Sequence, residues 1–323
     1  MKLTPILLLA TCLTVWAQTE EHLNKQFAVQ PGGKLVVDVD FGSINVNTHD
    51  SSEVTVDVLR KVMRATKEEE EEFLAERPVM IEQDGNTVTI TSRGKSRNNG
   101  PSRGKQSTEA KYAVTLPARF DAQLKTAGGA IAVSDLTGEV KAGTSGGELK
   151  FTQIHGPLDA STAGGAIRMM GCEGEQRVKT TGGGINVSAG SGSFDGATLG
   201  GPVAVKDFRG PVQLKTGGGS ITVENVAGKL DGKTSGGPIT ASFAAPPADE
   251  VKLATSGGGV TLRVPENAAF DLDAASSGGN VSSDLSVETE GKPSRSRLKG
   301  PVNGGGKPVV LHTSGGSIQV RRL

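Results

Sequence analysis

Aromatic side chains make up only 3% of the 323 residues, which excludes a conventional core of large rings. Tyr112 is the single tyrosine and Trp16 the single tryptophan, so the stacked-ring platforms of many sugar-binding proteins are not expected. Cysteine is scarce too: Cys12 and Cys172 are the only two. Acidic and basic residues balance at 35 each, so no net field recruits nucleic acid or an anionic membrane. Past the N-terminus no apolar run reaches the ~18 residues that span a bilayer. His22, His49, His155 and His312 are scattered, which supports neither a metal triad nor a His-based nucleophile.

The first residues read as an export signal. Lys2 supplies the positive end, Leu3 to Val15 is mostly apolar, and Val15-Trp16-Ala17 offers a cleavage site before Gln18. Residues 1–17 are therefore expected to be removed, leaving Cys172 without a disulfide partner. A second reading makes Leu9-Ala10-Thr11-Cys12 a lipoprotein box. Thr11 and the short apolar stretch ahead of it disfavour that reading. The expected destination is the periplasm, the cell surface or the medium.

Glycine is what the chain has in abundance, with 46 residues, and the glycines are periodic. Gly-Gly pairs begin at Gly128, Gly146, Gly164, Gly182, Gly200, Gly218 and Gly236, an 18-residue period, and looser copies begin at Gly257, Gly278 and Gly315. Threonine stands two residues before most pairs, as at Thr126, Thr144, Thr162 and Thr180. An aliphatic residue follows three after the first glycine: Ile131, Leu149, Ile167, Ile185, Val203, Ile221 and onward to Ile318. A second glycine column runs Gly138, Gly156, Gly174, Gly192, Gly210 and Gly228. Self-similarity in several columns at one period is the signature of a repeat architecture.

Parity within a copy indicates how the chain turns. Val140, Ala142 and Thr144 share one face of an extended strand, whereas after the pair the apolar set moves to odd offsets. The Gly-Gly is accordingly expected to be a corner using positive φ, with a second corner at the other glycine column. Copies this short cannot close a core alone, so they must stack, with strands in parallel at ~4.8 Å. The expected fold is all-β: a parallel β-solenoid, or β-helix, of about 18-residue two-strand rungs.

The flanks depart from the period. Residues 18–120 are expected to be divergent N-terminal rungs with insertions, and 121–323 the regular solenoid. Residues 61–76, rich in glutamate, read as one short helical insertion placed to cover an open solenoid end. Residues 92–106 hold Arg93, Lys95, Arg97, Arg103 and Lys105 among Gly, Ser, Asn and Pro. This reads as a surface loop, and these five cations are the candidate anion- or partner-binding residues. Residues 291–306 read as a second loop before a final rung at 311–320.

Phe27, Pro31-Gly32-Gly33, Gly42-Ser43-Ile44-Asn45-Val46, the Thr-Ser-Gly-Gly copies, Val264-Pro265 and the closing Thr313-Ser314-Gly315-Gly316-Ser317-Ile318 together resemble the bacterial "putative adhesin" domain family. That family is formally of unknown function. The resemblance spans most of the mature chain and implies a secreted β-solenoid without a catalytic motif.

No catalytic, cofactor or metal site emerges from the residues themselves. The glycine runs lack the Gly-Lys-Ser/Thr of a phosphate loop, and no aspartate follows the glycines on every turn as calcium-binding repeats require. The serious rival is a polysaccharide lyase or hydrolase on a β-helix. Asp159, Asp195 and Asp231 fall on alternate rungs, ~10 Å apart along the stack, too far for a retaining pair and marginal for an inverting one. The reading is thus an exported, non-enzymatic, adhesin-like solenoid. It serves a binding or structural role at the envelope, with an envelope partner or a second copy of itself as its mate.

Overall fold

The computed structural model describes residues 18–94, 107–289 and 294–323, so the segment expected as an export signal and most of the basic insertion lie outside the described residues. The described residues form 28 strands and one helix. Strands preceding each Gly-Gly pair stack into one ladder and strands following it into another. Their inward faces meet in a continuous core.

Each column found in the sequence is a real column in space. Ile131 pairs in register with Leu149, then Ile167, Ile185, Val203 and Ile221, and all six are buried. On the opposite ladder Val140, Leu158, Gln176, Phe194, Val212 and Leu230 are successive partners. Parallel in-register stacking puts like on like, so one aliphatic position repeated every rung becomes an apolar rod. Burial of each such side chain contributes roughly 1.5–3 kcal/mol. Where the core narrows, volume is exchanged between neighbours: a Cβ on Gly196 would meet the Phe194 ring at 2.8 Å.

The Gly-Gly corner differs from expectation. None of the paired glycines has positive φ. The second glycine of each pair is required instead by close stacking, because a Cβ on Gly147 would collide with the carbonyl of Gly129 one rung earlier. Positive φ belongs to the other side of the rung. Gly138 (153°) and Gly192 (105°) adopt it in the second glycine column. A further column three residues ahead of that one does so without requiring glycine: Asp135, Gln153, Gly171, Ala189, Asp207 and Asn225 have φ of 61°, 53°, 66°, 53°, 52° and 52°. Asp, Asn and Gly tolerate this left-handed turn at low cost. Short bridges Arg119–Thr137–His155–Glu173 link the turns along that side.

Stack order departs from chain order at both ends. The strand Gly33–Val39 pairs with Thr87–Ser92 on one side and Phe120–Thr126 on the other, so the first rung of the sequence is the second of the stack. At the far end Lys307–Thr313 lies between Val251–Thr255 and Phe270–Ser276. The copy ending at Val320 is therefore not terminal. Residues 291–306, expected as a loop, include the strand Arg297–Val302, antiparallel to Phe270–Ser276. An edge strand needs few apolar residues, and Leu298 and Val302 were too few to announce it.

Antiparallel strands close the N-terminal end as well: Thr19–Ala28 and Glu53–Met63 on one ladder, Met80–Asp84 on the other. Lys25 Nζ donates to the Ile81 carbonyl at 2.9 Å and Gln83 Nε2 to the Ala28 carbonyl at 2.7 Å. These bonds stitch the two outermost strands together, and a lysine on the core side of an edge strand discourages further pairing. The helix Lys67–Glu76 begins later than the sequence suggested, since Lys61–Met63 finish a strand. It packs against the outermost strands Thr19–Ala28 and Glu53–Met63, which themselves close the end.

Candidate functional site

The strands Thr87–Ser92 and Ser107–Pro117 form the outermost parallel rung, and in the sequence the basic segment is what joins them. Lys95, Arg97, Arg103 and Lys105 lie outside the described residues, whereas Arg93 lies within them. Arg93 is ion-paired with Asp38, whose carboxylate holds the guanidinium above its ordinary pKa. The Gly94 N–H donates to Asp40 Oδ2 at 2.6 Å. Two aspartates from the neighbouring rung thus fix the base of the insertion.

The acidic helix leaves the sheets at the same corner. Glu53–Met63 ends opposite Ser107, and Met80–Asp84 starts opposite Thr91. Thr66 caps the helix by accepting from the Glu69 N–H at 3.3 Å. Glu70, 2% exposed, accepts from the Thr19 hydroxyl at 2.5 Å, the Thr19 N–H at 3.1 Å and the Arg64 N–H at 3.0 Å. The Thr19 hydroxyl foremost holds its carboxyl below the usual range. Phe73 packs against Phe41, and the guanidinium carbons of Arg64 and Arg77 lie 4.1 and 4.3 Å from its ring centre. Arg60 is fully buried, donating from Nε to Glu21 at 2.5 Å and from Nη1 to the Arg77 carbonyl at 2.6 Å. Residues 18–92 carry fifteen acidic and seven basic side chains, while 93–106 carry five basic and no acidic ones. Charge is therefore segregated within the N-terminal end.

The outward columns follow the predicted register. Lys141, Asp159, Arg177, Asp195, Gln213 and Asp231 are successive neighbours. Arg177 Nε reaches Asp195 Oδ2 at 4.0 Å and Arg177 Nη2 donates to Glu175 at 3.3 Å. Such exposed pairs are worth at most about 1 kcal/mol each. His22 faces Asp57 at 3.0 Å and His155 faces Glu173 at 3.2 Å, far apart in the stack. Among the described residues no three metal-ligating side chains cluster, and no helix is long and apolar enough to cross a membrane. Cys172 is buried, and burial pushes its thiol pKa up, away from the reactive thiolate.

A family model matches residues 33–321, nearly the whole repeat. The chain belongs to the Toastrack DUF4097 family. Solved structures match the chain as well. A protein described as a putative cell adhesion protein from Clostridium sporogenes is 10% identical, covers 94% of this chain and 100% of its own, and superposes with a TM-score of 0.23. Proteins described as putative adhesins from Bacteroides fragilis and Parabacteroides distasonis are 10% and 12% identical, each covering 94% of this chain and 97% of its own at a TM-score of 0.34. At these scores the likeness decides nothing about what this Toastrack chain binds. No curated protein matches it significantly.

Proposed function

We propose that the protein is an exported, non-catalytic β-solenoid that acts by binding at the cell envelope, with the insertion at 93–106 as its principal contact element. In this reading residues 1–17 are the export signal, 18–120 form the closed N-terminal end with its insertions, and 121–323 form the rigid repeat. The observation that carries the reading is the placement of the insertion. In the sequence it joins the two strands of the outermost parallel rung, its first residues Arg93 and Gly94 are held by Asp38 and Asp40, and it concentrates Arg93, Lys95, Arg97, Arg103 and Lys105 in one short segment.

Such a segment suits an anionic envelope component, reached through many weak contacts and strengthened when several copies bind together. The solenoid supports this role by stiffness: stacked rungs hold Arg93, Gly94 and the flat outward faces at fixed spacing. Deleting residues 95–106 while keeping Arg93 and Gly94 tests the reading. The variant is expected to unfold at the parent temperature and to lose adherence to whole cells and envelope fragments. Undiminished adherence by a folded deletion variant refutes it.

A further inference from the structure

Apart from the insertion, the outward face of the ladder that precedes the corners carries a groove of about 440 Å³ across the strands Glu173–Thr180, Ser191–Thr198, Val212–Thr216 and Leu230–Thr234. Its floor is low because Ser193 and Pro211 are short. Glu175 and Arg177 rise on one side, Lys229 and Asp231 on the other. Its volume falls in the range of small-molecule sites.

The groove is defined by hydrogen-bonding capacity left unused. In this lining the shielded Asp231 Oδ1 has no hydrogen-bond partner, while its Oδ2 accepts from Lys233 at 3.1 Å; Gln176 Oε1 also lacks one, but Gln176 faces the core rather than the groove. Gln176 is 1% exposed and replaces an aliphatic residue between Leu158 and Phe194. Its Nε2 is committed to the Cys172 and Ser191 carbonyls at 2.9 and 3.0 Å. An acceptor left unpaired costs about 1–3 kcal/mol, so a ligand hydroxyl that reaches Asp231 Oδ1 recovers that cost.

The surrounding charges select among ligands. The cations are already engaged, Arg177 with Glu175 at 3.3 Å and Lys229 with Glu250 at 2.7 Å, which disfavours a polyanion. Asp195 and Asp231 stand two rungs apart, ~10 Å by strand spacing, too far to share a calcium ion whose ligands lie at ~2.3–2.6 Å. What remains is a mixed set of acceptors and donors repeating along the stack every ~4.8 Å. A hydroxyl both donates and accepts, so a chain of hydroxyls matches the set at each rung.

We propose that this groove binds a neutral, hydroxyl-rich oligosaccharide laid along the stack, with Asp195, Gln213 and Asp231 receiving its hydroxyls and Pro211 contacting its ring. Without an aromatic ring to stack on, binding at a single groove is weak and gains strength from multivalency. The site is separate from the basic insertion, and its fate does not depend on the insertion's role.

The test is titration calorimetry and amide NMR on the mature chain with cellohexaose and chitohexaose, alongside polygalacturonate and calcium chloride. At least one neutral hexaose is expected to bind, shifting amides of residues 191–213. Ser193→Trp, which fills the floor, and Asp231→Ala are expected to weaken binding by tenfold or more, about 1.4 kcal/mol. Ser134→Trp, outward on the other ladder, is expected to leave it unchanged, as is deletion of residues 95–106. Thermal unfolding establishes that each variant is folded. The proposal is overturned if neither hexaose binds, if only polygalacturonate or calcium does, or if binding survives in folded Ser193→Trp.

Discussion

The Thr144 hydroxyl donates to the carbonyl of Gly129, one rung earlier, at 2.9 Å, and accepts the N–H of Gly147 in its own rung at 3.2 Å. The same pair of bonds recurs with Thr162, Thr180, Thr198, Thr216 and Thr234, each donating to the second glycine of the previous corner at 2.9–3.0 Å. A Cβ on Gly147 would occupy the space beside that carbonyl. Threonine and glycine are thus two halves of one device: the missing Cβ lets corners stack closely enough for the hydroxyl to bond across rungs.

The two glycines of a pair are predicted to respond oppositely to alanine. A Cβ on Gly146 has its nearest neighbour at 3.8 Å, and its φ is not positive, so Gly146→Ala should change stability by less than about 1 kcal/mol. Gly147→Ala must push two rungs apart and should cost several times more, about 3 kcal/mol or above. Denaturant unfolding of both variants measures the difference. Equal effects would remove close stacking as the reason for the second glycine.

Replacing the hydroxyl tests its half of the device. Thr180→Val keeps the shape but leaves the Gly165 carbonyl and the Gly183 N–H unpaired, which should cost about 1–3 kcal/mol. Thr180→Ser keeps both bonds and should cost less. Chemical denaturation distinguishes them, and a neutral Thr180→Val would mean that the column contributes only packing.

In the aliphatic column, Ile185 is fully buried between Ile167 and Val203. Ile185→Val should cost about 0.5–1.5 kcal/mol. Ile185→Asp should prevent stable folding, since the rung interior offers a charge no partner. Circular dichroism and solubility check both.

Much of this was legible in the sequence, because in-register stacking copies a linear period directly into space. The Ile131–Ile221 column, the threonine column and the alternating Lys141–Asp231 column all follow from an 18-residue shift. What was not legible has specific causes. Corner glycines forced by φ and corner glycines forced by a neighbouring rung look identical in one dimension. The left-handed column from Asp135 to Asn225 varies in identity, so no single residue type marks it. The exchanged order of Gly33–Val39 and Thr87–Ser92 is a long-range choice, and local patterning is indifferent to which rung stacks on which. The groove at Ser193 and Pro211 arises from short side chains meeting tall ones across rungs, which no single copy displays.

Acid should loosen the N-terminal end before the repeat. Glu70 has a depressed carboxyl pKa in the folded protein, chiefly through Thr19. Its stabilising contribution is therefore complete above the unfolded value of about 4.3 and is lost as pH falls through the lower folded value. Hydrogen exchange at Thr19–Ala28 should accelerate below about pH 4 relative to Ile185–Ser188, and Glu70→Gln should show fast exchange already at neutral pH. Uniform acceleration along the chain would contradict this.

The central claim is that the insertion binds through its charge while the solenoid serves as scaffold. The most direct measurement compares envelope adherence of the parent with a variant carrying Lys95→Gln, Arg97→Gln, Arg103→Gln and Lys105→Gln, each at low and at physiological ionic strength. The account predicts that parent adherence is strongest at low salt and weakens as the Debye length shrinks toward ~8 Å, while the variant adheres weakly and responds little to salt. Equal adherence and equal salt dependence in the two proteins would contradict it.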